Sequence, residues 1–87
     1  MPDEAVNASL DARIAKAERA KRDLAVVKPR LDSLREGYIG VWKGSAAADV
    51  ASREQAWLAY QAVDAVERQF RSDIDDGKAA ASEKGAI

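Results

Sequence analysis

Four groups of residues in this 87-residue chain could do chemistry. Gly37, Gly40 and Gly44 surround Lys43 and Ser45, the residue types of a phosphate-cradling loop. The order runs Lys-Gly-Ser rather than Gly-Lys-Ser and no strand precedes it, so the mechanism of a P-loop is missing and a flexible helix end is the plainer reading. Asp73, Asp75 and Asp76 cluster farther on. Carboxylates at a helix C-terminus face the negative end of its dipole, a placement that can mark a cation or a basic partner. Helical spacing keeps consecutive carboxylates from converging on one ion, so a solvated acidic helix end, offset by Arg71 and Lys78, is expected rather than a metal site. The chain has no His and no Cys. That removes the commonest general base, the commonest metal ligand and any disulfide. No catalytic residue, cofactor or small-molecule substrate is expected, and the composition points away from an enzyme.

The third group is basic. Between Arg13 and Arg35 stand eight Lys/Arg against three acids, although the whole chain has a net charge of -1 and an acidic second half. Lys21, Lys28 and Arg35 would follow one flank of a helical core stripe, and Lys16 and Arg30 the other. Such flanks usually form interhelical ion pairs, here with Glu54, Asp64 or Glu67 as candidates. The sharper alternative is a face that contacts nucleic-acid phosphates through Lys16, Arg19, Arg22 and Arg30. The fourth group is aromatic: Tyr38, Trp42, Trp57 and Tyr60, with Leu58 beside them. It is either a small core capping two helices or an anchor patch for a partner, since large aromatics are favoured interface hot spots.

The elements that hold these residues are helices. Only 6% of residues are aromatic, 33% are charged, and Ala supplies much of the 47% hydrophobic share, a composition suited to long helices. Pro2, Asp3 and Glu4 suit a first turn. Leu10, Ala17, Leu24, Leu31 and Tyr38 then recur at heptad spacing, with Ala20, Val27, Leu34 and Val41 three positions on. Pro29 inside this register predicts a kink or break near Val27 to Pro29. Arg13 on a core position predicts a splayed or wet start, its stem lying along its neighbours. Lys43 and Gly44 suggest a helix end with an αL glycine, and the Ser45 to Ala48 stretch a connection. Asp49, or Ser52 with Gln55, would cap the second helix. Its stripe is Ala56, Ala59, Val63, Val66, Phe70 and Ile74, and Gly77 is expected at the C′ position.

The expected fold class is therefore all-α: an antiparallel helical hairpin of two long helices, about 3–43 and about 50–76, in a single domain over 1–77. The stripe from Leu24 to Val41 would pack on Val63, Val66 and Phe70. Ala17, Ala20, Ala56 and Ala59 would let the axes approach closely. Residues 78–87 lack a periodic apolar face and are expected to form a flexible tail. So small a chain, without disulfide or metal, gains burial most readily by binding itself or a partner. No apolar run approaches the roughly eighteen residues of a transmembrane helix, and the start of the chain lacks signal-peptide character. No membrane partner is expected.

Tyr38-Ile39, Trp42-Lys43, a Ser/Ala connection, Asp49, Arg53-Glu54, Trp57, Gly77-Lys78 and Ala80 together carry a resemblance. From about Leu24 to Ala80 the order and spacing are similar to those of small helical proteins encoded among the packaging and structural genes of tailed bacteriophages and prophages. Similar sequences carry charged residues where Gly37 and Gly40 stand, which predicts a looser helix leading into Trp42 here. The resemblance implies a phage structural or assembly accessory: a capsid, portal or DNA-packaging adaptor in the host cytoplasm or the virion. Its partner would be a larger phage structural protein, itself as a homo-oligomer, or both, and it transfers no catalytic residue. Two other readings are a DNA-binding packaging component such as a small terminase subunit, and a phage-encoded inhibitor of a host protein.

Overall fold

The computed structural model describes residues 2–86, and both helices of the hairpin are present. Residues 1 and 87, which the expected domain and tail include, lie outside the described residues. α1 spans Pro2–Gly44 and α2 spans Val50–Ala86, running antiparallel, with no strand among the described residues. α1 opens with Asp3 and Glu4 in its first turn, where carboxylates complement the dipole. It is continuous through Pro29, so the expected break is not found. Pro29 leaves the carbonyl of Ala25 without its helical donor. Both residues are exposed, so water can serve that carbonyl.

The connection between the helices is the predicted small-residue stretch. Gly44 has no positive φ, which corrects the expected αL cap. The helix end is served instead by Ser45, whose Oγ donates to the Trp42 carbonyl at 2.7 Å. Of the two candidate caps for α2, Asp49 is used. Its carboxylate accepts from the Ser52 amide at 3.2 Å, and its carbonyl receives the Arg53 amide at 3.2 Å. Those hydrogen bonds from Ser52 hold the Asp49 carboxyl below its ordinary range.

The chain packs as two compact units, one of residues up to Val26 with those from Gln69 onward, the other Val27–Arg68. In the first, Leu10, Ala17, Ala20, Leu24 and Ala80 are buried, and so is Gly77. Gly77 is not a C′ residue. A Cβ placed on it would lie 2.0 Å from the Ala17 Cβ, so its lack of a side chain lets the two helices touch. Residues 78–86 are helical rather than a flexible tail, because Ala80 packs against the start of α1 with no exposed surface. Charges brace that packing: Lys84 pairs with Asp11, and Arg13 reaches Glu83 at 3.5 Å.

Arg13 is also a correction to the splayed start. Its Nη2 and Nε donate to the Asp76 carboxylate at 2.8 and 3.0 Å, tying the helices together. That hydrogen bond holds the Asp76 carboxyl below its ordinary range and raises Arg13 above its own. In the second unit Leu31, Ala56 and Val63 are buried, with Val27, Tyr38, Ala59 and Tyr60 half-buried. Leu34, Val41 and Val66, expected on the facing stripes, stand 46%, 54% and 48% exposed. They sit on one edge of the α1 and α2 contact rather than in it. An α-helix turns slightly more slowly than a strict heptad demands, so one of two parallel rows drifts out of a straight contact.

Candidate functional site

The second unit carries an aromatic cleft of about 500 Å³ next to the connection, lined by Tyr38, Ile39, Trp42 and Lys43 of α1 and Ala56, Trp57 and Tyr60 of α2. The lining residues recur at steps of one and four on each helix, which puts them on the same side at 3.6 residues per turn. The Asp49 cap fixes where α2 begins and so sets the level at which Trp57 and Tyr60 face Tyr38 and Trp42. The rings of Trp57 and Tyr60 lie parallel, 5.9 Å between centroids and 7° between planes. The Arg53 guanidinium stands 4.4 Å from the Trp42 ring centre, a cation–π contact that holds this indole in place.

Four of the five residues expected at an interface therefore converge on one cleft. Leu58 does not join them: it is 58% exposed and points away, one residue round the helix from Trp57. Of the two readings of the aromatic group, a wholly filled mini-core does not describe it: Tyr38 and Tyr60 are half-buried, but Trp42 and Trp57 remain 44% and 54% exposed. Ile39, Lys43, Ala56 and Arg53 also belong to the site, although none of them is among the residues expected at the interface. Their positions carry the signal: Ile39 and Lys43 each follow an aromatic residue of α1 by one position, and Arg53 precedes Trp57 by one helical turn.

An ionic ladder occupies the same side of the unit at 3.6 residues per turn. Arg35 donates to Glu67 at 2.9 Å and to Asp64 at 2.8 Å across the helices, and to Asp32 at 2.9 Å within its own. Lys28 stands 3.8 Å from Glu67 and 3.2 Å from Asp32. The hydrogen bonds from Arg35 to Glu67 and then to Asp64 raise the Arg35 pKa further above its ordinary value. Asp64 and Glu67 are thus the expected ion-pair partners that are used, while no ion pair of Glu54 occurs among the described residues.

The basic candidates divide. Lys16 is engaged with Asp73 at 3.5 Å, whereas Arg19, Arg22 and Arg30 are exposed and have no ion-pair partner among the described residues. Lys21 pairs within α1, 3.8 Å from Glu18. The acidic cluster is largely spent on α1, Asp73 on Lys16 and Asp76 on Arg13. Among the described residues no group of three or more His, Cys, Asp or Glu is arranged to hold a metal ion. No helix of the described residues is long and apolar enough to cross a membrane.

What the site offers chemically is apolar and aromatic surface, one ammonium group and two phenols on a rigid helical frame. It is suited to burying side chains of another molecule. Comparison of the chain with protein-family models, with curated proteins and with solved structures gives no match.

Proposed function

We propose that this chain is a non-enzymatic assembly protein of a tailed phage, an accessory or adaptor of its capsid, portal or packaging machinery. It acts by helix-to-helix contact, in the host cytoplasm or within the virion, and the aromatic cleft receives the larger structural protein. One observation carries the docking half of this reading: four aromatic side chains from two helices line a single cleft while both tryptophans stay about half exposed. Burying such rings is where protein interfaces gain most of their energy. The phage half comes from the pattern running from Tyr38-Ile39 to Ala80. The test is titration of the chain with the purified capsid, portal and terminase proteins encoded beside it, reading tryptophan emission. A blue shift that saturates, and that Trp57→Ala abolishes, supports the proposal; no shift with any of them counts against it.

A second reading is favoured by a separate observation. Arg19, Arg22 and Arg30 have no ion-pair partner among the described residues, while Arg13, Lys16, Lys21, Lys28 and Arg35 are all ion-paired. Exposed, uncommitted guanidinium groups are what phosphate contacts use, so a DNA-packaging component is the alternative. Duplex binding that weakens with salt and disappears in the Arg19→Glu, Arg22→Glu variant would establish it.

A further inference from the structure

The cations of α1 that reach across to α2 meet carboxylates there: Arg13 meets Asp76, Lys16 meets Asp73, and both Lys28 and Arg35 meet Glu67. The aromatic cleft departs from that pattern. Lys43 of α1 lines it and Arg53 of α2 stands over its Trp42 ring, yet neither has an ion-pair partner among the described residues. No carboxylate lines the cleft, and Glu36 and Glu54, near it in sequence, are exposed and outside the lining.

Lys43 suits the last turn of α1, where a cation complements the dipole. Arg53 has no such local support. It stands in the first turn of α2, which holds no acid beyond the Asp49 cap, so its charge faces the positive end of the dipole. Its contact with Trp42 leaves the guanidinium N–H donors without an acceptor among the described residues. A residue set against its local rule marks a place where another contact compensates it.

These two charges restrict what can fill the cleft. A wholly apolar occupant would strip water from the Lys43 ammonium and return no charge, which costs more than the burial of the neighbouring rings should have to offset. A basic occupant would be repelled. An occupant that carries a carboxylate beside its apolar groups replaces the lost water by charge-assisted hydrogen bonds. A nucleic-acid strand needs a continuous run of cations along its backbone, and Glu36, Asp49 and Glu54 around the cleft oppose a polyanion. A single carboxylate set among large apolar side chains meets every condition.

Building on the reading of the cleft as a docking site, we infer that its occupant is an acidic, apolar protein segment. Large side chains of that segment pack against Trp42 and Trp57, and an adjacent Asp or Glu pairs with Lys43, with Arg53 beside it. The test selects short random peptides on the full chain, with the Trp57→Ala chain as counter-selection, and measures labelled copies of the recovered peptides by fluorescence anisotropy. They should carry Asp or Glu within one helical turn of Trp, Phe or Leu. Their affinity should fall with salt and drop about tenfold or more in Lys43→Glu. Exchanging the peptide acid for Lys should restore binding to that variant and weaken it to the native chain. Lys43 is exposed, so helical circular dichroism should not change; Lys43→Gln, with a smaller loss in the same direction, decides the matter if Lys43→Glu misfolds. Trp57-dependent peptides without an acid, or equal affinity for the native and Lys43 variants, would overturn the inference while leaving docking at the cleft intact. So would recovery of no Trp57-dependent peptide, or Trp57-dependent binding of single-stranded DNA or of a second copy of the chain in its place; docking itself is judged separately, by titration with the whole phage proteins.

Discussion

Replacing Gly77 by alanine sets two effects of opposite sign against each other. In an exposed helix the change would stabilise by about 1 kcal/mol through helix propensity. Here the new Cβ would lie 2.0 Å from the Ala17 Cβ, 3.4 Å from the Arg13 carbonyl oxygen and 3.5 Å from the Ala17 Cα. Carbon atoms rest at about 3.5 to 4.0 Å, so the pair is short by at least ~1.5 Å, and neither methyl has a rotamer to escape into. The helices must separate, uncovering Ala17, Ala20 and Ala80, all at most 5% exposed now. Overpacking costs about 1 to 3 kcal/mol and this geometry belongs at the upper end, so the net loss is about 2 kcal/mol. For a chain of this length that lowers the melting temperature by roughly 10 °C. Thermal melts by circular dichroism read the total, and hydrogen exchange should place the loss in residues 10–24 and 70–84. Gly40→Ala, where a Cβ meets nothing, should instead stabilise. Moving the methyl rather than adding one, by Ala17→Gly with Gly77→Ala, should recover part of the loss. A Gly77→Ala chain that melts at or above the native temperature would refute the close approach of the two helices.

Other perturbations read other parts of the structure. Leu31→Ala should cost about 2 to 4 kcal/mol in urea unfolding, while Leu34→Ala, three positions away and 46% exposed, should cost the single chain under about 1 kcal/mol. Asp76 and Asp49 are held below their ordinary range, so their contribution is present above the unfolded value near pH 4 and is lost as pH falls through the folded value. Acid titration should therefore loosen the hairpin below about pH 4, and Asp76→Asn should flatten that response. Trp57→Ala should cost the folded chain only about 1 kcal/mol, the worth of its ring pair with Tyr60, leaving a helical protein for binding assays.

The heptad rows made the hairpin legible, and they did so most reliably where large residues occupied them. Leu10, Leu24, Leu31 and Val63 are buried as their spacing requires. The errors came where residue type spoke against position. Gly77 is the seventh residue after Phe70 and the fourteenth after Val63, so it stands on the core row; its type suggests a stop near residue 76, whereas α2 runs on to Ala86. Ala80 follows on the second row, three positions on, and was missed for the same reason. Arg13 is on a core row too, and no pattern within α1 announces that Asp76, 63 positions away, meets it. The aromatic cluster was legible as residues but not as a surface. Counting rings near a connection does not tell a filled core from an open cleft. That depends on how far apart the helix axes stand, which no local spacing encodes.

The proposed docking role of the cleft is tested most directly in assembled particles. Phage particles produced with the native chain and with the Trp57→Ala variant, expressed to equal levels and equally helical, can be purified and their protein content quantified by mass spectrometry. If the cleft receives a structural protein, the native chain is present at a fixed number of copies per finished particle or assembly intermediate, and the variant is lost from the same fraction. Absence of the native chain from every particle and intermediate, or incorporation of Trp57→Ala at the native level, would contradict it.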